Sequence, residues 1–237
     1  MEGLELYGVT NIAGSVIVQN AASLEWLAAE QLETVQSVTV TDVPKFQFLE
    51  LPIPSWLESL EIGGSPMNAE NFREGLPRLE SIGDLYIHDC TNLSIPRLSL
   101  QNITSSLRVE DNGPDFDIFL DILWAYNITM RNIRSFSLDR MIVVNNSLEI
   151  SSSAGLTEIG FESLNSIGGD FYVANNPSLT ALGIPSVTSI GGDWLGTPAP
   201  SVGGTFTSQN NPGLQSFNFP NLRTSVGMNL DGHWLSL

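Results

Sequence analysis

The chain has 237 residues, of which 42% are hydrophobic and only 15% are charged. This composition allows a buried core and excludes a disordered chain. The formal net charge of −17, from 26 acidic and 9 basic residues, argues against nucleic acid or anionic lipid as a partner. No apolar run reaches the roughly 18 residues of a membrane helix, so we predict no transmembrane segment.

The single cysteine, Cys90, excludes an internal disulfide framework and a CxxC metal or redox site. We expect it to be a small core residue at the end of a strand. A disulfide partner outside this sequence is the alternative, and a reactive thiol is the least favoured. The segment Met1–Glu5 lacks the basic and apolar regions of a secretory signal, which taken alone predicts a cytosolic protein. Because the rest of the sequence is typical of an extracellular protein, we expect instead a fragment of a longer secreted protein or an incomplete sequence.

A short segment of the form polar, apolar, variable, apolar, variable, and then usually Asn, Asp, Ser or Gly recurs along the chain. Most copies lie about 20–25 residues apart, as in leucine-rich and β-helix solenoids. Apolar residues at period two point one face of a strand inward, and Asn, Asp or Gly suits the turn that follows. We therefore predict about ten coils with parallel sheets. The first apolar positions of the copies are Val16, Val38, Leu60, Leu85, Leu107, Ile128, Leu148, Phe171, Phe206 and Met228. Of these anchors, seven are expected to stack as one inward ladder: Val16, Val38, Leu60, Leu85, Leu107, Leu148 and Phe171.

Two further motifs recur between the strands. One is apolar-Pro-x-apolar, at 76–79, 95–98, 184–187 and 219–222, where proline is expected to fix an extended corner. The other is Ser-Ile-Gly, at 81–83, 166–168 and 189–191, whose isoleucine is expected to point inward and whose glycines are expected to make a sharp corner.

The sequence is interpreted as a single continuous repeat domain over 1–237. A Pro/Gly-rich insertion at about 195–204 lengthens the interval between Phe171 and Phe206. Helical periodicity is poor, and its best candidates are Ala21–Gln31 and Ile118–Tyr126. We predict a mainly β protein with little helix.

The run Leu164–Leu182, LNSIGGDFYVANNPSLTAL, resembles the repeat of the receptor L domain. It is most similar to the version found in fungal GPI-anchored cell-wall organisation proteins, relatives of the sporulation-specific wall proteins. The resemblance extends over Leu79–Leu98 and Ser147–Leu222. It implies a right-handed, leucine-rich-repeat-like β-helix without a catalytic site, export to the cell surface or cell wall, N-glycosylation and a C-terminal lipid anchor. This sequence shows no signal peptide, no apolar C-terminal tail and no paired cysteines.

Four Asn-x-Ser/Thr sequons make Asn92, Asn102, Asn127 and Asn145 candidate glycosylation sites, conditional on export. Asn127 lies in a predicted strand and is the least favourable of them.

Two segments contain residue types found in catalytic or metal sites. Neighbours on a strand face opposite ways, so we expect that His88–Cys90 cannot form a catalytic relay. The stretch Asp111–Asp121 has four aspartates, which are oxygen ligands of the kind that calcium prefers, but their spacing is not that of an EF-hand. We favour a solvated turn there and predict no catalytic, cofactor or metal site.

The sequence favours a non-catalytic extracellular structural protein that contributes to fungal cell-wall organisation. The alternative is a receptor-like ectodomain that recognises a protein or a glycan, which exposed aromatic residues on one sheet face would favour. A polysaccharide-cleaving β-helix enzyme is a remote third, because the chain shows no ladder of aspartates or basic residues on adjacent coils. The expected partner is a wall glycan or a surface protein, and the oligomeric state stays open.

Overall fold

The computed structural model describes residues 2–51, 55–64, 79–90, 94–98, 100–113, 115–192 and 204–231, with the side chains of 94–98 left aside. Every helix or strand in these ranges is a β-strand, and no helical segment of membrane-spanning length and hydrophobicity is present there. The strands are β1 (Glu2–Glu5), β2 (Ser15–Gln19), β3 (Leu24–Ala28), β4 (Ser37–Thr41), β5 (Phe48–Glu50), β6 (Trp56–Gly63), β7 (Ser81–His88), β8 (Ser94–Leu98), β9 (Asn102–Glu110), β10 (Asp117–Leu120), β11 (Trp124–Arg131), β12 (Ser135–Ser137), β13 (Val143–Val144), β14 (Leu148–Ser151), β15 (Glu158–Gly160), β16 (Ser166–Ile167), β17 (Phe171–Ala174), β18 (Ala181–Gly183), β19 (Ser189–Ile190), β20 (Thr205–Gln209), β21 (Ser216–Asn218), β22 (Thr224–Ser225) and β23 (Gly227–Leu230).

A 14-stranded main sheet runs along the whole stack of coils, and all pairings between its strands are parallel. The first half of β11 pairs with β13 and its second half with β14, so later coils contribute two short strands in place of one long strand. Three smaller parallel sheets, β1-β3-β5, β8-β10-β12 and β15-β18-β21, form a second side. This is the predicted β-solenoid.

The predicted inward ladder from Val16 to Phe171 is confirmed, and Ile128 and Phe206 also belong to it. The ten anchor residues form nine in-register pairs, one between each coil and the next. Nine of them are at most 8% exposed, and Met228 on the last strand is 52% exposed. Phe171 pairs with Phe206 across the insertion, and their rings stack with centroids 5.1 Å apart. The insertion itself lies mostly outside the described residues.

In nine successive coils, the main-sheet strand that carries the anchor residue is followed by a residue with left-handed backbone. The φ angles lie between 53° and 59°, a region that favours Gly and tolerates Asn and Asp, as the turn position of the repeat predicts. The backbone at this turn position therefore has the same conformation in these nine coils. These residues are Asn20, Asp42, Gly64, Asp89, Asp111, Asn132, Ser152, Asn175 and Asn210.

The Ser-Ile-Gly motif is confirmed for its isoleucines, but the expected corner is wrong for the copy at 81–83, which lies within a strand. Its isoleucines Ile82, Ile167 and Ile190 are buried, as expected. Gly83, however, lies inside β7, and a Cβ added there would sit 2.2 Å from the carbonyl oxygen of Glu58 on the previous coil. The glycine is needed because adjacent backbones approach closely at this point.

Neither of the two candidate helical segments is a helix, in agreement with the prediction of a mainly β protein with little helix. Ala21–Gln31 contains β3, and Ile118–Tyr126 contains most of β10 and the start of β11. Ala, Leu and Glu give the first segment a high helix propensity, but pairing with β1 and β5 decides its conformation.

The proline corners also differ from the prediction. The carbonyls of Ile184 and Phe219 accept hydrogen bonds from the amides of Val187 and Leu222, so proline is the second residue of a tight β-turn. The copy at 95–98 lies within β8, which is an end strand of its sheet, and most of the copy at 76–79 lies outside the described residues.

A buried asparagine directly after the left-handed residue connects neighbouring coils through two side-chain hydrogen bonds. This position of the repeat is called the staple. The Asn176 side-chain oxygen accepts from the amide of Ser153 (3.0 Å), and its nitrogen donates to the carbonyl of Ile150 (3.1 Å). Asn211 and Asn112 make the same pair of bonds to their preceding coils. These bonds satisfy backbone groups that the turn would otherwise leave buried and unpaired.

Cys90 occupies the staple position of its own coil. It is fully buried, and its Sγ lies 3.3 Å from the carbonyl oxygen of His88. The expectation of a small core residue at a strand end is confirmed.

We expect Leu85→Asp or Leu148→Asp to lower the free energy of unfolding by several kcal/mol, on the order of 4, because either places an unpaired charge in the core. The outward substitution Thr207→Asp is the control and should cost less than about 0.5 kcal/mol. Thermal and urea melts of the three variants measure this difference. Unchanged melts of both leucine variants would contradict the inward ladder.

Asn176→Ala should cost about 1–3 kcal/mol, because it leaves a buried amide and a buried carbonyl without partners. Asn221→Ala deletes a side chain that also bonds a backbone carbonyl but is exposed, so water can replace it. Urea denaturation should separate the two variants clearly, and equal costs would argue against the staple.

Candidate functional site

The outer face of the main sheet presents columns of side chains, one from each coil. The residues one position after the inward anchors form the first column, which includes Glu61, Tyr86, Arg108, Thr129, Glu149 and Tyr172. The residues three positions after the anchors form the second column, which includes Gly63, His88, Glu110, Arg131, Ser151 and Ala174. Because the strands are parallel and in register, each residue's neighbours in its column are the equivalent residues of the adjoining coils.

Tyr86, in the fourth coil, lies on this face between the side chains of His88 and Arg108. Its ring stacks on the His88 imidazole, with centroids 4.3 Å apart, and the guanidinium carbon of Arg108 lies 4.3 Å from the ring centre. Burial raises the pKa of the Tyr86 phenol, against the opposing effect of Arg108. The side chains of His88 and Arg108 thus cover part of the Tyr86 ring.

Charges alternate across the next coils. Arg108 donates to Glu110 (3.0 Å), Arg131 lies 3.7 Å from Glu110, and Arg131 is 2.9 Å from Glu149. The hydrogen bond from Arg108 to Glu110 raises the pKa of the guanidinium. Ser151 completes the chain with a 2.7 Å bond to Glu149. These ion pairs neutralise the middle of the face from within, although the protein as a whole is strongly acidic.

The imidazole of His88 lies between two carboxylates. Its Nε2 is 3.2 Å from Glu61 and its Nδ1 is 2.8 Å from Asp89. The ring lies over Gly63, where an added Cβ would be 2.3 Å from the imidazole Cε1. Gly63 therefore makes room for the ring, and a protonated imidazole can donate to both carboxylates.

The expected separation of His88, Asp89 and Cys90 is corrected in part. Alternation ends with the strand, and the left-handed backbone of Asp89 (φ 53°) turns its carboxylate back onto His88. Cys90 points into the core with its Sγ against backbone carbonyls, away from the imidazole. The histidine–aspartate contact therefore lacks the thiol that a relay would need.

The acidic turn is explained by an arginine. Arg134 makes a bidentate contact with Asp117 and lies 3.5 Å from Asp115. Burial raises the pKa of the Asp117 carboxyl, but hydrogen bonds from Arg134 and Ser135 outweigh it, so the pKa is lower than usual. The described residues contain no group of three or more His, Cys, Asp or Glu side chains that could hold a metal ion.

The sequons differ in their surroundings. Asn145 is exposed, whereas Asn102 is half-buried and pairs in register with Trp124. Asn127 is half-buried, and its side-chain oxygen accepts from Asn146 Nδ2 (2.8 Å) and Ser147 N (3.3 Å). Asn92 lies outside the described residues. Occupancy by glycans stays a prediction for all four.

Sequence reasoning missed the chain of ion pairs on the outer face. Its signal was present in the repeat, because the first and third positions after each anchor carry Glu61, Arg108, Glu110, Arg131 and Glu149. Comparing these positions between the two columns and between adjoining coils identifies the pairing.

The chain is similar to two curated fungal proteins. It is 28% identical over 130 residues to the cell surface GPI-anchored protein ECM33 of Candida albicans, covering 53% of this chain and 30% of that protein. It is 24% identical over 188 residues to the cell wall mannoprotein PST1 of Saccharomyces cerevisiae, covering 71% of this chain and 42% of that protein. The chain thus spans less than half the length of these relatives. No family model and no solved structure matches it.

These matches confirm the family-level resemblance to fungal cell-wall proteins that the repeat predicts. Both relatives are named as cell-surface or cell-wall proteins, which supports an extracellular, cell-wall location by family resemblance. The assignment to the receptor L domain itself stays a prediction.

After expression through a yeast secretory pathway, we expect at least two sequons to carry glycan, with Asn145 occupied and Asn127 the least occupied. A glycan needs an accessible side-chain amide, and Asn145 offers one while Asn127 is held between strands. Peptide mass spectrometry after enzymatic glycan release measures occupancy at each site, and Asn145→Gln serves as the control for site assignment. Full occupancy of Asn127 with an empty Asn145 would contradict the expectation.

Proposed function

We propose that this chain is a non-catalytic structural module of the fungal cell surface, which contributes to wall organisation through the outer face of its main sheet. The observation that carries the proposal is the ten-coil ladder, whose outward polar side chains bind one another along the stack. Such a face extends along the whole stack of coils, and repeat proteins use extended faces of this kind for binding. The cell-wall names of both relatives support the same role.

Most of the outward side chains of the main sheet favour a structural role over a receptor-like one. Trp56 and Tyr126 are about half exposed on strands of this sheet and are aromatic residues of the kind that a receptor-like face would present, whereas Tyr86 is half-buried between Arg108 and His88. Most other outward positions carry hydroxyls, amides or paired charges, such as Ser15 with Ser37 (2.5 Å) and Ser106 with Asp84 (2.9 Å). Hydroxyl and amide groups repeated at the coil spacing of about 4.8 Å suit the hydroxyl groups of an extended wall glycan.

The same contacts support a non-enzymatic role. A general acid and base must converge on one reacting bond and have pKa values suited to proton transfer. His88 is held between two carboxylates, Glu110 lies between two arginines, and Asp117 is bound by Arg134. Each of these three side chains is thus held by oppositely charged partners of the protein itself.

One incubation with insoluble β-glucan, chitin, mannan and pectin tests both parts of the proposal. We expect the purified chain to release no new reducing ends from any of them. We expect it to sediment with at least one wall polysaccharide, because the outer face offers repeated polar contacts along its length.

The variant Thr207→Arg places a bulky charge on the outer face, and Ser216→Arg places the same charge on the second side. Sedimentation should fall for Thr207→Arg and not for Ser216→Arg, and equal binding of the two variants would overturn the assignment of the face. Hydrolysis or lyase activity that disappears with Asp111→Asn, Asp115→Asn or His88→Ala would overturn the non-enzymatic role.

A further inference from the structure

The small sheet β1-β3-β5 carries a groove of about 360 Å³ on its outer face, away from the main sheet. Its walls include the aromatic side chains of Trp26 and Phe48 and the carboxylates of Glu5 and Glu50. The groove lies on a different sheet from the proposed wall-binding face, so its function does not depend on that proposal.

The strand register builds the groove from two neighbouring columns. Gly3, Trp26 and Phe48 pair in one column, and Glu5, Ala28 and Glu50 pair in the next. The small Ala28 therefore lies between two carboxylates and beside the aromatic column. A Cβ on Gly3 would be 1.8 Å from the indole Cε2 of Trp26, so the indole lies flat against the backbone of β1.

The fold does not require these aromatic residues. The inward residues of the small sheets, such as Leu27 in β3 and Ile159 in β15, are buried in both places. The outward residue just before each is Trp26 in β3 but Glu158 in β15, and the partners of Glu158 in β18 and β21 are Ala181 and Ser216. Small and polar residues therefore suffice at this position of the repeat, and Trp26 and Phe48 are additional to it.

The charge around the aromatic pair has one sign. Glu25 and Glu30 add two carboxylates to those of Glu5 and Glu50, and in the described part of the chain none of the four is ion-paired with a basic side chain. Lys45 is the first basic residue of the sequence. An aromatic face and nearby carboxylates both attract a cation, the first through its ring quadrupole and the second through its charge.

We propose that this groove docks a basic segment of a partner protein, with a lysine or arginine side chain against Trp26 and between Glu5 and Glu50. A protein segment fits better than a small free cation, because carboxylates from three adjacent strands line an open groove and can contact more than one basic side chain. The strongly acidic net charge of the whole protein would attract such a partner to the surface, and the aromatic pair fixes where it binds.

Fluorescence anisotropy with a labelled peptide of alternating lysine and serine, at physiological ionic strength, tests the docking on the full chain. The double variant Glu5→Gln/Glu50→Gln should weaken binding by roughly tenfold, because it removes the two flanking charges. Glu158→Gln/Glu162→Gln removes the same charge in and just after β15, on a different small sheet from the groove. Both residues are exposed, and this variant should change binding by less than about twofold. Trp26→Leu should weaken binding by about two- to fivefold.

Thermal melts establish that each variant is folded, and Phe48→Leu replaces Trp26→Leu if the latter does not fold. The same peptide with acetylated lysines should not bind, since it lacks the positive charge. Absence of binding by the unmodified chain would overturn the proposal. Equal weakening by the two double variants, or equal binding of the acetylated peptide, would also overturn it, because the attraction would then belong to the acidic surface as a whole or would not involve charge.

Discussion

The in-register pairing of each coil with the next is the constraint on which the rest of the structure depends. It makes every position of the repeat a column, so residues about 22 positions apart in sequence become nearest neighbours. In nine coils the residue after the anchor strand has nearly the same left-handed φ angle, so the chain enters this turn with the same backbone conformation each time. Buried asparagines such as Asn176 then tie each corner to the coil before it, where water is absent and an unpaired amide would be costly.

The columns also decide how charges are distributed. Arg108 and Arg131 fall on adjacent coils beside Glu110 and Glu149, so a face with both signs neutralises itself over three coils. Glu110 can be almost fully buried because it lies between two guanidinium groups, whereas a lone buried carboxylate would be protonated or expelled. Stability and surface chemistry are therefore set by the same alignment, and a change of register would disrupt both.

The inward ladder was predictable because period-two apolar residues have one structural explanation, and it continues from Phe171 to Phe206 across the insertion. The candidate helical segment Ala21–Gln31 is not a helix, because its residues favour helix locally, while pairing with the neighbouring coils decides the outcome. The contact of His88 with Asp89 was missed for a different reason, since alternation applies within a strand and Asp89 begins the turn. Side chains on different coils become neighbours only through the in-register ladder. The ion pairs of the outer face could therefore be predicted only after the register was known.

The same alignment explains why net charge alone does not say where a partner is attracted. On the main face, Arg108 and Arg131 are ion-paired with Glu110 and Glu149 of the neighbouring column, so this part of the face has little net charge to attract a charged partner. In β1, β3 and β5 the columns hold Glu5, Ala28 and Glu50 with no cation among them, and the negative potential there is not cancelled by a neighbour. Attraction between charges weakens within about 8–10 Å at physiological salt, so a partner close to the surface responds to the local column rather than to the total of −17. A repeat protein can in this way carry a neutralised, hydroxyl-rich face for one kind of contact and an acidic aromatic groove for another, using substitutions at outward positions that leave the inward ladder unchanged.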